Sequence, residues 1–109
     1  MTDSVDTVWQ SNMPTQLAKT MTYIADEQVM CDFLRDVMTE KEIIEIAARL
    51  EAARLLSLGE TYKNIIKNTK LSSRTVARIS DWLKSGRTGY STVLAQMYSH
   101  QDHIPPARA

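Results

Sequence analysis

Apolar side chains recur every three or four positions along this chain, and no stretch shows the alternation of a half-buried strand. The pattern predicts about six helices and no sheet. Pro14 can open the first helix, because a first-turn residue has no use for its N–H, and Leu17, Met21 and Ile24 then share a face. Asp26 caps a second helix over about Glu27 to Val37, with Met30 or Val29, Phe33, Leu34 and Val37 inward. The spacing of Thr39 to Glu42 is that of a capping box. It starts a long third helix, to about Ser57, with Ile43, Ile46, Ala47, Leu50, Ala53 and Leu56 as a broad apolar stripe.

The next stretch, Leu58 to Gly86, carries the most information. Gly59 can take the left-handed conformation that ends a helix. Thr61 then caps a short helix whose buried face is Tyr62, Ile65 and Ile66. Lys70-Leu71 makes a turn, and Ser72 offers an N-cap oxygen to another helix in which Val76, Ile79 and Leu83 are spaced for one face. Two short helices on a tight turn, the second led by Ser73, Arg74 and Ala77, form the plan of a helix-turn-helix, whose second helix enters the DNA major groove. After a loop bracketed by Gly86 and Gly89, a last helix spans about Tyr90 to Tyr98, with Val93, Leu94 and Met97 inward. Residues 1–13 read as a disordered arm, 14–98 as one helical DNA-binding and dimerisation domain, and 99–109 as a frayed tail.

Charge sharpens the reading. The 109 residues are formally neutral, with 13 basic and 13 acidic side chains. Up to Gly59, however, ten acidic residues outweigh five basic ones. From Glu60 to Tyr90, Lys63, Lys67, Lys70, Arg74, Arg78, Lys84 and Arg87 face only Glu60 and Asp81. A basic stripe on the half that carries the two-helix motif, behind an acidic scaffold, would orient the protein on a phosphate backbone. Base edges would meet Ser73 and Arg74 in the first turn of the recognition helix, with Ala77 beside them. Arg74 is suited to a bidentate contact with guanine. Ser72, Thr75 and the adjoining backbone would meet phosphate, as would Lys63 and Lys67 on the preceding helix, where Asn64 meets phosphate or a base. Arg78 has three readings: phosphate, a ligand pocket, or stacking on Trp82. Arg49 and Arg54 are expected in structural ion pairs, Arg49 with Glu45.

Other classes of function find less support. Cys31 stands alone, which excludes an intramolecular disulfide; on a helix it reads as a small buried hydrophobe. His100 and His103 sit in a Pro-ended tail with no third ligand, so no metal site is expected. No phosphate loop and no nucleophile–base pair can be placed, so no enzymatic activity and no cofactor are expected. The N-terminus is acidic without an apolar core, and no run reaches the roughly 18 apolar residues of a spanning helix. A soluble cytoplasmic protein without membrane partners is the expectation. The competing reading is a helical dimer that keeps the helix-turn-helix shape but binds a protein partner, with Tyr62, Trp82 and Tyr90 on the contact surface. Six helices of these lengths leave apolar faces that one small monomer cannot bury, so a two-fold homodimer is expected, its recognition helices about 34 Å apart on a near-palindrome.

Three segments carry a family resemblance: Ala48–Arg54 (ARLEAAR), Gly59–Tyr62 (GETY) and Ser72–Arg78 (SSRTVAR), followed by the Gly86–Tyr90 stretch. Over about Leu17 to Met97 the chain resembles the Trp repressor superfamily, most of all its branch of uncharacterised TrpR-like proteins, YerC/YecD. The resemblance implies an all-helical intertwined homodimer and a DNA-binding transcriptional regulator, a repressor by analogy. In the Trp repressor the amino acid sits between the central and recognition helices. By position, Thr39, Arg49 and Arg78 match the threonine and two arginines that hold it, whereas Ile79 stands for a glycine and Trp82 for a small serine. Both replacements add bulk, so the resemblance implies that Ile79 and Trp82 fill the pocket. Free tryptophan would then not bind in that mode, and the identity of any effector is open.

Overall fold

The computed structural model describes residues 6–86 and 89–99, which form a 3-10 helix and six α-helices without a strand. The chain divides into two compact units, one through Glu40 and one from Lys41.

The N-terminal unit comprises the 3-10 helix Asp6–Gln10, α1 (Asn12–Thr22) and α2 (Glu27–Val37). Helical structure therefore begins within the stretch read as a disordered arm; residues 1–5 lie outside the described part. The 3-10 helix is tied to α1 by Thr15, whose Oγ1 donates to the carbonyl of Trp9 at 2.8 Å and to that of Ser11 at 3.1 Å. Pro14 sits in the first turn of α1, two residues later than the sequence signal placed it. Asp26 caps α2 as expected, its Oδ2 accepting from the amide of Val29 at 3.0 Å. No residue of either helix is buried. Leu17 and Val37, both expected inward, are exposed; of the alternatives Val29 and Met30 it is Val29 that is exposed; and Cys31 is exposed rather than buried. Met21, Ile24, Met30, Phe33 and Leu34 are half-buried.

The C-terminal unit holds the core. It is built from α3 (Glu40–Ser57), α4 (Tyr62–Thr69), α5 (Ser73–Lys84) and α6 (Gly89–Ser99), although Glu40 itself belongs to the first unit. Ala52, Ala53 and Leu55 of α3 meet Ile65 of α4, Val76 and Ile79 of α5 and Leu94 of α6, with Leu56, Ile66, Leu71, Leu83 and Tyr90 packed around them. Ala52, Ala53, Ile65 and Val76 are wholly enclosed. The periodicity of α4, α5 and α6 found much of this face, with Tyr62 and Val93 too far out at 40 % and 46 % exposed.

On α3 the periodicity pointed partly to the wrong side. Ile46 and Leu50 are exposed, while Ala52 and Leu55, outside the expected stripe, are buried. Apolar residues surround this helix nearly all the way round, so no single face stands out. Within α3 the forked pair of Arg54 and Glu51, at 2.8 and 2.7 Å, is half-buried. The Glu51 hydrogen bond raises the Arg54 pKa above its ordinary value against the opposing effect of burial.

Candidate nucleic-acid interface

The α3–α4 junction is a Schellman closure. Gly59 lies at φ +84°, its amide donates to the carbonyl of Leu56, and that of Glu60 to Leu55, each at 3.0 Å. This turn points the chain into α4, where Thr61 Oγ1 accepts from the amide of Asn64 at 3.1 Å. Lys70 ends α4 in the left-handed region, φ 64°, with its amide donating to Ile66 at 2.9 Å. Thr69 reinforces the turn, its Oγ1 donating to the Ile65 carbonyl at 2.7 Å and accepting from the Leu71 amide at 3.3 Å. Ser72 then caps α5: its Oγ accepts from the Thr75 amide at 3.1 Å and donates to Thr75 Oγ1 at 3.0 Å. Both short helices thus have defined starts, and α4 packs directly on α5.

This frame displays the recognition residues selectively. Ser73, Arg74 and Arg78 are exposed on α5, and none of their side chains makes a hydrogen bond or ion pair with a described residue. Lys63 and Lys67 are exposed on α4. Ala77 and Thr75 are half-buried. Asn64 is engaged locally, its Nδ2 donating to Glu60 Oε1, which directs its side chain along α4. Val76, Ile79 and the buried Ser80 anchor the opposite face.

Beside this surface, Arg49, Thr75, Arg78, Ile79, Trp82 and Tyr90 line a cleft of about 310 Å³. The sequence singled out Arg49, Arg78, Ile79 and Trp82 as pocket residues, and these four come together. Thr39, the fifth, belongs to the N-terminal unit. Ile79 turns into the core, only 6 % exposed, and Trp82 remains 37 % exposed, so the two line an open space instead of filling it. Thr75 and Tyr90 were not expected here. For Thr75 the signal was available, since Thr75, Arg78, Ile79 and Trp82 stand at i, i+3, i+4 and i+7 on one stripe. Tyr90 reaches the cleft from another helix, which no spacing within α5 could reveal. Arg49 carries the expected ion pair, at 2.8 Å to Glu45.

The profile of the family described as "Trp repressor protein" matches residues 14–98. The chain belongs to the Trp repressor family. The uncharacterised protein YerC of Bacillus subtilis (strain 168) is 34 % identical over 79 residues, 72 % of this chain and 76 % of that one. The crystal structure of a TrpR-like protein from Eubacterium eligens ATCC 27750 superposes with a TM-score of 0.75 at 27 % identity, covering 89 % of this chain and 97 % of that one. Trp repressor family proteins are typically DNA-binding regulators, not enzymes. Among the described residues no group of three or more metal-ligating side chains occurs, and no helix is long and apolar enough to cross a membrane. His100 and His103 lie outside the described residues.

Proposed function

We propose that this protein is a sequence-specific transcriptional regulator, acting as a repressor, that binds a near-palindromic operator in double-stranded DNA as a homodimer. The observation that carries this reading is the unpartnered Ser73 and Arg74 at the capped start of α5, beside the exposed lysines of α4. The N-terminus of α5 and Thr75 meet phosphate, Arg74 reads a guanine edge, and Lys63 and Lys67 neutralise the flanking backbone. The homodimer is supported by the N-terminal unit. Two 11-residue helices with no buried residue lack the burial that stabilises helices of this length, and a second copy supplies it.

Tryptophan is not the effector in this reading. Ile79 and Trp82, both on the cleft wall, add bulk at the positions where the family resemblance places a glycine and a small serine. Selection of DNA from a random library, with Arg74→Ala in parallel, tests the proposal. A two-fold motif with one base position relaxed in the variant is the expected result. Absence of enrichment at low salt would favour a helical protein-interaction module instead.

A further inference from the structure

An acid stands in the basic outer stripe of α4. Glu60, one residue before the Thr61 cap, is spaced with Lys63, Asn64 and Lys67 at i, i+3, i+4 and i+7, while Ile65 anchors the buried side of the helix. An exposed glutamate among lysines would ordinarily pair with one of them. Glu60 does not: its carboxylate accepts from Asn64 Nδ2, and Lys63 and Lys67 are left without a partner among the described residues. Both members of the pair are also fixed through the backbone. The Glu60 amide donates to the Leu55 carbonyl at 3.0 Å, and the Asn64 amide to Thr61 Oγ1 at 3.1 Å.

This pairing decides what Asn64 can offer. An ionised carboxylate only accepts, so the nitrogen end of the Asn64 side chain is the end that faces Glu60. One N–H is spent there. One N–H and the Oδ1 acceptor remain, held against rotation by a charge-assisted bond. A donor beside an acceptor matches the major-groove edge of adenine, where N7 accepts and the N6 amino group donates. Charge then chooses between phosphate and base. A phosphate approaching this amide would meet the Glu60 carboxylate, a like charge, whereas a base edge carries no net charge.

We propose that Glu60 is a positioning residue that holds Asn64 as an adenine reader, at a base pair separate from the one read by Arg74. The inference rests on the DNA-binding function proposed above and names part of its specificity. It also gives the acid a use: Glu60 weakens attraction to any phosphate backbone and in return fixes one side chain for one base.

Selection from a random DNA library with wild type, Asn64→Ala, Glu60→Ala and Arg74→Ala tests this, followed by fluorescence anisotropy on the selected duplex, its single-base variants and an unrelated duplex. Wild type selects an A·T pair at a position that Arg74→Ala leaves intact. Asn64→Ala relaxes that position about tenfold, the low end of what a bidentate base contact supplies. Glu60→Ala relaxes the same position and yet binds the unrelated duplex severalfold more tightly, because a negative charge has left the stripe; damage to the fold would weaken both. The double variant relaxes the position no further than Asn64→Ala alone, as coupled residues require. A wild-type motif in which Asn64→Ala relaxes no A·T position would overturn the inference and leave the regulator standing. So would a Glu60→Ala variant that keeps full preference there or loses affinity for unrelated DNA. Recovery of no motif by wild type would remove the proposed function and this inference with it.

Discussion

Replacing Ser72 separates the folding role of the α5 cap from its role at DNA. In Ser72→Ala the Thr75 amide loses its acceptor at 3.1 Å, and Thr75 Oγ1 loses its donor at 3.0 Å. Ser72 is exposed, so water reaches the freed amide, and the penalty is that of a lost cap, about 1 kcal/mol, not that of a buried orphan. For a chain of this size that is roughly 4 °C in Tm. Because self-association would make the melt concentration-dependent, variants are compared at equal protomer concentration. Ser72→Asp keeps an acceptor and places a negative charge at the helix N-terminus, which favours folding. The same charge faces the phosphate that this turn is proposed to meet. Ser72→Asp should therefore melt at or above the wild-type temperature and yet bind DNA at least tenfold more weakly. Ser72→Ala should lose stability and only a few-fold in DNA affinity. Thermal melts and fluorescence anisotropy with a labelled duplex give both readings. An alanine variant within 0.3 kcal/mol of wild type, a margin well under the weakest cap effects, would refute the capping argument. An aspartate variant with undiminished DNA affinity would refute the placement of this turn on phosphate.

Other expectations are independent of the cap. Glu51→Gln leaves the half-buried Arg54 beside a neutral acceptor and should destabilise by about 1–2 kcal/mol in urea titrations, while replacing both residues by Met recovers most of it. The Arg54 pKa is raised, so its contribution is complete below its ordinary value and declines only as pH rises through the higher folded value. Wild-type stability from Arg54 is thus flat between pH 6 and 9, a range well below that value, as melts across it would verify. Lys70→Gly relieves a left-handed backbone penalty of about 1–2 kcal/mol against an entropy loss of about 0.5–1, so a net gain of about 0.5–1 kcal/mol is expected in the same titrations. Lys63→Gln and Lys67→Gln should each reduce the slope of log affinity against log salt by about one, uniformly across DNA sequences.

Much of this molecule was written in local signals. Gly59, Thr61, Ser72 and Asp26 act on amides within five residues of themselves, so the helix starts and the turn geometry could be read from residue type and spacing. The charge division and the basic helix pair were legible for the same reason, and the segments Ala48–Arg54, Gly59–Tyr62 and Ser72–Arg78 led to the family. The ion pair of Arg49 with Glu45 follows from spacing on one helix. What spacing could not decide was which side of α3 is buried, because apolar residues surround it and only its neighbours choose Ala52, Ala53 and Leu55. Cys31, Val37 and Leu17 were expected inward on helical pattern alone, yet in this chain they are exposed. The cleft required the third dimension most. Arg49, Arg78 and Tyr90 come from three helices, and whether Ile79 fills or merely lines the space between them depends on the direction in which the core draws its side chain. Local sequence sets backbone conformation through hydrogen bonds a few residues long; burial and cavities depend on which helices meet.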